Sequence, residues 1–407
     1  MKKKEFVFCI DFGYLFSILF NTSYLSEKYL MQILIVWIIL VIVWLGAIFS
    51  VSIHESFSLT LKLAAQWLWD EPSNYFYFGR QIRNIIIWLI MAFIAYKIPL
   101  KFFQNNRNII IISVLALILQ LLVFVPGIWV ILNGARWWID LGWITTIQPA
   151  EFFKLGYVMF LASWFIRKKN IIQEPKIIRY FIVLNVFVWL IFVSIPDMGI
   201  ALVMAITGLI MLWYAGAKLK YIVLMGLGGI FISIMWVFLL SSITSKYDYL
   251  TARMTHFLRS DVDPTNRGIG WQNEQALISI WWWGFWWQWY GKWLQKFGYI
   301  PEAQSDFVFA AFSEEIGFVG NIFILFLYFL LCLFFFKRLP YVRDPYSRMI
   351  GVGIISLIIV QMFITIGVNV RILPNTWLTL PFISYWGTAI MVNMIQIVLL
   401  YKIVKER

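Results

Sequence analysis

Long apolar stretches alternate with short polar segments along this chain from about residue 31 onward. Each stretch is close to the roughly 20 residues that an α-helix needs to cross the hydrocarbon core of a bilayer. The pattern therefore predicts an all-α polytopic membrane protein with about ten transmembrane helices. The predicted helices are residues 31–52, 81–98, 108–126, 150–166, 178–195, 198–216, 220–241, 308–336, 347–369 and 378–403.

The first 30 residues follow a different pattern. Their apolar part, residues 5–20, is short and is interrupted by Asp11 and Gly13. We interpret residues 1–30 as a cytoplasmic or interfacial segment that is neither a span nor a cleaved signal. Residues 31–407 then form a single membrane domain.

Composition agrees with a membrane protein and excludes several soluble classes. Of the 407 residues, 62% are hydrophobic and 13% are charged, and a soluble domain cannot bury so much apolar surface. The two cysteines, Cys9 and Cys332, and the two histidines, His54 and His256, have no metal-binding or redox spacing. No protein-bound metal centre is predicted, and no glycine motif for nucleotide phosphates is present.

The net charge of +13 is explained by topology. Of the 33 Lys and Arg residues, 21 fall on one side of the predicted membrane, and cytoplasmic loops carry such an excess. Both termini are therefore expected inside the cell, and no nucleic-acid partner is expected. Residues 53–80, 127–149, 242–307 and 370–377 then face outward. The third of these segments, about 66 residues long, exceeds ordinary connections, so we expect it to be functional.

Ionisable side chains at membrane depth indicate where a site could lie, because each costs at least about 2.5–3.5 kcal/mol to insert. Glu151 and Lys154 are three residues apart on one face of a predicted helix. They either form an ion pair that faces the bundle interior or serve a site. Asp197 lies between two predicted helices, where it either caps the second helix or joins the same site.

A second acidic group enters the eighth predicted helix at its outer end. Glu302, Asp306, Glu314 and Glu315 precede or interrupt a stretch of Phe, Ile and Leu. Asp306 could cap this helix, although Ser305 could do so without burying a charge. A carboxylate at the membrane edge, with cations nearby, suits general-base chemistry beside an anionic leaving group.

Arg136 and Lys154 are the cations of this candidate region. Arginine suits a pyrophosphate better than lysine does, because its planar guanidinium binds pairs of oxygen atoms. The residues alone thus predict an outward-facing site for an anionic substrate, without identifying that substrate.

Five longer motifs extend this interpretation, because together they resemble the FtsW/RodA (SEDS) family over residues 31–403. They are NGARWWIDLGWITTIQPAEFFK, IPDMGIALV, HFLRSDVDPTNRGIGWQNEQALISI, YIPEAQSDFVFAAFSEEIGFVG and LPNTWLTLPFISYWGTA. The resemblance implies a ten-helix membrane fold and a peptidoglycan glycosyltransferase that polymerises lipid II. It also implies a class B penicillin-binding protein as partner, together with other division or elongation proteins. The last motif is slightly closer to division members (FtsW) than to elongation members (RodA).

Site residues follow from the resemblance position by position. Asp306 matches the proposed catalytic base, which would deprotonate the 4-hydroxyl of the acceptor GlcNAc. Arg136, Glu151 and Lys154 match polar positions of the family's central cavity and would hold the pyrophosphate and sugars. Trp138 matches the aromatic position of the family's GA-R-W-I stretch and joins the predicted substrate-binding residues.

Two acidic residues in the matched motifs, Asp197 and Glu302, complete the predicted substrate-binding set. Gln304 departs from the histidine that most members have, but it can still hydrogen-bond. No cofactor is assigned, although a divalent cation, Mg²⁺ or Mn²⁺, is a candidate beside the pyrophosphate.

Residues 281–293, WWWGFWWQWYGKW, contain seven tryptophans. In the family this stretch is rich in glycine, and further tryptophans also fall on family glycines or small residues. Some bacteria translate the codon UGA as glycine, so we hypothesise that these positions are glycine in the living protein. The ten positions are Trp129, Trp143, Trp281, Trp282, Trp283, Trp287, Trp289, Trp293, Trp377 and Trp386. The alternatives are an interfacial aromatic belt, which would spread single tryptophans over many helix ends, and a platform for sugar rings.

Two other functions fit a polytopic protein with buried charges. A lipid II flippase would need access from both sides and often has internal repeats. An inactive scaffold would only recruit the penicillin-binding protein, and an intact Asp306 argues against that role.

Overall fold

A computed structural model describes most of the chain between residues 26 and 405. Within this range the segments that it does not describe are 67–70, 133–134, 141–145, 196, 244–252, 256, 258–268, 282–299 and 301–302. Most of the predicted N-terminal segment, Glu302 and most of the tryptophan-rich stretch therefore lie outside the described residues.

Helices make up nearly all of the described fold. In chain order they are α1 (Ser26–Val51), α2 (Ile53–Ala65), α3 (Phe76–Lys97), α4 (Leu100–Gln104), α5 (Asn106–Leu121), α6 (Pro149–Arg167), α7 (Pro175–Ser194), α8 (Met198–Tyr214), α9 (Leu219–Ile243), α10 (Ile269–Trp281), α11 (Val308–Arg338), α12 (Pro345–Asn369) and α13 (Gly387–Lys405). Short 3-10 turns follow α5, α6 and α11.

Each of the ten predicted ranges overlaps one of these helices. Among the described residues, seven helices are long and apolar enough to span a membrane, and α8 and part of α9 are shorter apolar helices. The chain is thus a multi-pass membrane protein, while the count of ten spans remains a prediction.

The last predicted span is wrong at its start, because α13 begins at Gly387 and not at residue 378. The intervening segment cannot continue a helix, since Phe382 has a φ of 65°. It folds back on itself instead, with the Leu380 N–H donating to the Ser384 hydroxyl at 2.7 Å.

A small antiparallel sheet, which the sequence pattern did not predict, lies in the predicted outer segment 127–149. Its strands are β1 (Trp129–Leu132), β2 (Ala135–Asp140) and β3 (Thr146–Ile147), in the order β1-β2-β3. Val130 pairs with Trp138, and Ile139 pairs with Ile147. The pairing of Val130 with Trp138 fixes the backbone of Trp138 within this sheet.

Helix α12 is the centre of the bundle and packs against α6, α8, α11 and α13. The closest approach is at Gly353, where an added Cβ would lie 2.5 Å from Val158 Cγ1 on α6 and 2.8 Å from Met211 Sδ on α8. Peripheral helices instead expose large apolar side chains, such as Phe93 on α3 and Leu224 on α9. Exposed apolar side chains on the outer helices are expected when lipid surrounds the protein.

Candidate active site

Asp306 lies in the turn 303–306 that precedes α11, and two elements hold this turn in place. Asn369, fully buried at the end of α12, donates from Nδ2 to the Asp306 carbonyl at 3.0 Å. Its Oδ1 accepts the Ala310 N–H at 3.0 Å. On the other side, the Tyr385 N–H donates to the Gln304 carbonyl at 3.0 Å. The backbone on both sides of Asp306 is therefore anchored to distant parts of the chain.

Asp306 is not the N-cap residue of α11. The N-cap residue of that helix is Phe307, whose own side chain makes no capping hydrogen bond. Asp306 is partly buried, and its Oδ1 lies 3.4 Å from the indole Nε1 of Trp386. The capping alternative is thus not what the structure contains.

Glu151 and Lys154 form an ion pair of 2.9 Å inside the bundle, with the Lys154 side chain only 2% exposed. Lys154 Nζ also donates to Gln361 Oε1 at 2.7 Å. Gln361 Nε2 in turn donates to both oxygens of Thr379 at 2.9 Å. A buried ion pair is tolerated only when further hydrogen bonds satisfy its remaining polar atoms, and this network does so for the ammonium group.

Asp197 lies within electrostatic range of this network and of the turn that carries Asp306. Its Oδ1 accepts the Ile200 N–H at 3.1 Å, so it caps α8, as one of the two sequence interpretations proposed. The same buried carboxylate interacts electrostatically with Lys154, Glu151 and Asp306. Four of the predicted site residues therefore lie in one charge cluster.

Trp138 lies on strand β2 and contacts the residue just before α13. Its ring stacks on Trp386, with centroids 4.4 Å apart and an angle of 26° between the planes. The Thr388 hydroxyl ties the sheet to the start of α13, because it accepts the Gln148 N–H at 3.1 Å and donates to the Thr146 carbonyl at 3.2 Å. Trp138 and Asp306 thus contact the same indole.

Two predicted site residues are not placed at side-chain level. The backbone of Arg136 belongs to β2, two residues before Trp138, and its side chain lies outside the described parts. Glu302 lies outside the described residues altogether. Among the described residues, no group of three or more His, Cys, Asp or Glu side chains could hold a metal ion. The divalent cation beside the pyrophosphate stays an expectation.

Of the ten tryptophans at glycine-like positions, the structure describes four. These four differ in backbone conformation. Trp377 has a φ of 49°, a region that favours glycine. Trp129, Trp281 and Trp386 are not among the residues with positive φ. Trp281 is 78% exposed at the end of α10. The backbone therefore supports the glycine hypothesis directly at Trp377.

Sequence reasoning missed three polar residues of α12. Gln361, Thr365 and Asn369 are four residues apart, which places them on one face of the helix. Gln361 and Thr365 bond to Thr379, and Asn369 bonds to the Asp306 turn. This periodic polar stripe in an apolar helix was the signal that could have revealed them.

The arrangement combines a partly exposed aspartate with a buried network of charged and polar side chains and a flat aromatic face. A carboxylate in such a place can accept a proton from a bound hydroxyl group. The cluster is assembled from five separate segments of the chain, so its geometry depends on the whole bundle.

Comparison with known proteins agrees with this architecture. The model of the FtsW/RodA/SpoVE family, described as cell cycle proteins, matches residues 31–407. Stage V sporulation protein E of Bacillus subtilis is 33% identical over 347 residues, covering 83% of this chain and 90% of that protein. The probable peptidoglycan glycosyltransferase FtsW of Nitrosomonas europaea is 31% identical over 382 residues, covering 92% of both chains.

Two solved structures share the fold. The rod shape determining protein RodA of Thermus thermophilus has a TM-score of 0.62 at 20% identity, covering 92% of this chain and 95% of that chain. A chain from a peptidoglycan synthase complex that coordinates polymerisation and crosslinking has a TM-score of 0.61 at 22% identity, covering 88% and 97%. At these identities the likeness concerns the fold alone.

Proposed function

Because the chain belongs to the FtsW/RodA/SpoVE family of cell cycle proteins, we propose that it is a peptidoglycan glycosyltransferase that polymerises lipid II. The observation that carries this proposal is the position of Asp306, which is partly exposed, precedes the N-cap residue of α11 and lies within electrostatic range of the buried Asp197. The relatives named as probable peptidoglycan glycosyltransferases support the same activity.

In the proposed reaction, Asp306 accepts the proton of the 4-hydroxyl of the acceptor GlcNAc. The resulting oxygen attacks the anomeric carbon of the donor MurNAc, and a new glycosidic bond forms with inversion. The bond from that carbon to the phosphate oxygen breaks, and undecaprenyl pyrophosphate leaves. General-base catalysis of this kind needs the hydroxyl within hydrogen-bond reach of the carboxylate.

The cations have different roles in this proposal. Arg136, on β2, binds the pyrophosphate, because a guanidinium pairs with two phosphate oxygens at once. Lys154 already contacts Glu151 and Gln361 and is buried, so it joins helix α6 to helix α12 beside the site. Asp197 lies within electrostatic range of this network and of Asp306, and Glu302 stays a predicted substrate-binding residue.

The site faces the outside of the cell in this proposal, with both termini in the cytoplasm of a bacterium. The concentration of Lys and Arg on the opposite side supports this orientation. We further propose a class B penicillin-binding protein as partner, with other division or elongation proteins. Support comes from the shared fold with a chain of a complex that coordinates polymerisation and crosslinking.

Replacing Asp306 with Asn tests the activity, because it preserves shape and removes the base. Two parent proteins are purified, one with tryptophan and one with glycine at the ten tryptophan positions, and each is compared with its D306N variant on labelled lipid II. Polymerisation by the active parent should fall by about 10²–10⁴-fold in D306N, with folding unchanged in size-exclusion chromatography.

The matched control is Glu174→Gln, the same chemical change at an exposed position between α6 and α7. It should polymerise like its parent. Polymer from D306N at the parental rate would remove Asp306 as the base. Folded parents that move lipid II across vesicle membranes without polymerising it would identify a flippase, and parents that do neither would identify a scaffold.

A further inference from the structure

Two arginines lie at the predicted outer end of α3, on the side of the membrane where cations are fewer. Arg80 and Arg83 are three residues apart, so they are neighbours on the helix surface, and both are exposed. The positive-inside rule concentrates Lys and Arg on the other side, so topology does not explain this pair. Charged side chains within a spanning segment usually pair with an opposite charge or mark a site.

Within the described part of the chain, neither arginine forms an ion pair. The Arg80 guanidinium lies over the Phe76 ring, with 5.6 Å between its central carbon and the ring centroid. Stacking on a ring leaves the N–H groups at the edge of a guanidinium available to an anion. The end of α3 therefore presents two positive charges that no described carboxylate neutralises.

A phenol hydroxyl lies at the same corner of the bundle. The Tyr385 ring packs edge-on against Tyr77 of α3, with centroids 5.1 Å apart. The Tyr385 side chain lies within electrostatic range of both Arg80 and Arg83, and its hydroxyl has no hydrogen-bond partner among the described residues. Two guanidinium groups and one hydroxyl donor thus lie close together.

The surface of α3 that continues from this corner is apolar and faces lipid. Ile86, Ile90 and Ile94 follow Arg83 at intervals of three and four residues, so they form one stripe along the helix. All three side chains are about half exposed or more. Acyl chains can pack along such a stripe, whereas a soluble anion gains nothing from it. A cationic corner at the end of an apolar stripe fits a phospholipid.

We propose that Arg80, Arg83 and the Tyr385 hydroxyl bind the phosphate of an anionic phospholipid, such as phosphatidylglycerol, in the outer leaflet. A guanidinium can bind two phosphate oxygens at once, and the hydroxyl donates to a further oxygen. Two positive charges favour a headgroup with a net negative charge over a zwitterionic one. This site is separate from the proposed reaction and does not depend on it.

Lipid titrations followed by native mass spectrometry of the purified full-length chain test the proposal. Phosphatidylglycerol should bind more tightly than phosphatidylcholine with the same acyl chains. Arg80→Gln and Arg83→Gln should each weaken phosphatidylglycerol binding about fivefold, because one cation at a membrane surface contributes roughly that factor. Tyr385→Phe keeps the ring, removes the hydroxyl and should weaken binding about threefold.

The matched control is Lys62→Gln, which removes an exposed cation from the last turn of α2, on the same predicted side. It should bind phosphatidylglycerol like the parent. Arg83→Lys keeps the charge and loses the planar group, so its affinity should lie between those of the parent and Arg83→Gln. Size-exclusion profiles show whether each variant is folded, and the arginine variants with Lys62→Gln remain decisive if Tyr385→Phe does not fold.

Equal binding of the two lipids, or an equal loss in Lys62→Gln and the arginine variants, would overturn the proposal, because charge would then act without a site. Parental affinity in a folded Tyr385→Phe would do the same. Competition identifies other occupants. Inorganic phosphate that displaces phosphatidylglycerol would assign the corner to a soluble anion, and displacement by undecaprenyl pyrophosphate at equal concentration would assign it to a lipid-linked pyrophosphate. Either result would contradict a phospholipid site.

Discussion

Trp377 has a backbone φ of 49° although its side chain is one of the largest. The left-handed region costs a residue with a Cβ roughly 1–2 kcal/mol, and glycine avoids this cost. The indole contacts Trp137 at a centroid distance of 5.0 Å, and the Arg253 guanidinium lies 3.8 Å from its centroid. Trp377 therefore makes side-chain contacts although its backbone conformation favours a residue without a side chain. This conformation supports glycine at position 377 in the living protein.

The gene should therefore carry UGA at the glycine-like positions and UGG where tryptophan matches an aromatic family position. UGA is expected at Trp281, Trp282, Trp283, Trp287, Trp289, Trp293, Trp377 and Trp386. Trp138 and Trp286 should have UGG and serve as internal controls. Mass spectrometry of the native protein should find peptides from the UGA sites lighter by the difference between tryptophan and glycine. UGG at Trp377 and Trp386 would contradict the hypothesis.

The Asp306 turn shows how helix α12 contributes to the site through one side chain. Asn369 uses its donor for the Asp306 carbonyl and its acceptor for the Ala310 N–H. We expect Asn369→Ala to lower kcat for polymerisation more than tenfold with little change in KM, because substrate still binds while the base is misplaced. Asn369 Nδ2 also donates to the Thr365 carbonyl at 2.9 Å, and the loss of these side-chain hydrogen bonds should cost about 1–3 kcal/mol of stability.

Two further variants separate positioning from stability. Asn369→Asp keeps the acceptor for Ala310 and loses the donor to Asp306, so kcat should fall while part of the stability returns. Ser356→Ala, a buried change elsewhere on α12, should leave kcat near the parental value. A rise in KM without a fall in kcat in N369A would assign Asn369 to substrate binding instead.

Packing between helices gives a prediction about stability alone. Gly353 lies where α12 crosses α6 and α8, and a Cβ there would meet Val158 Cγ1 at 2.5 Å. Gly353→Val should destabilise the bundle by about 1–3 kcal/mol, because overpacking forces neighbouring side chains to move. Thermal unfolding in detergent measures this loss.

Gly46→Val is the matched control, since a Cβ at Gly46 on α1 would have nothing within 4 Å. It should unfold close to the parental temperature. Equal losses of stability in G353V and G46V would mean that α12, α6 and α8 are packed less closely than these distances indicate.

On the scale of the whole molecule, orientation in the membrane rests on the distribution of charge. The positive side includes Lys176, exposed at the start of α7, and the opposite side includes Ile372, which is 70% exposed after α12. With Cys9 and Cys332 changed to alanine, single cysteines at these two positions can be labelled in intact spheroplasts. A membrane-impermeant maleimide should label Ile372→Cys and not Lys176→Cys.

Permeabilised spheroplasts provide the control, since both cysteines should then react. Labelling of K176C alone before permeabilisation would reverse the orientation and place Asp306 on the cytoplasmic side. Such a result would also remove the proposed reaction, because the partner that crosslinks strands is expected outside.

The sequence by itself determined the membrane class and the approximate positions of ten of the thirteen described helices. It could do so because lipid imposes a length of about 20 apolar residues on any spanning helix. Local chemistry also pointed to Glu151 with Lys154, and the family motif pointed to Asp306. In each case the signal lies within a few neighbouring residues, where helix periodicity makes it visible.

Only the tertiary structure decided how these residues meet. Lys154 bonds to Gln361 across 207 positions of the chain, and Gln148 bonds to Thr388 across 240. The pattern of apolar residues carries no information about such pairs, because it sets the period of each helix and not its neighbours. The sheet that carries Trp138, the turn at Asp306 and the late start of α13 all depend on hydrogen bonds between separate segments, so they become visible only when the bundle is assembled.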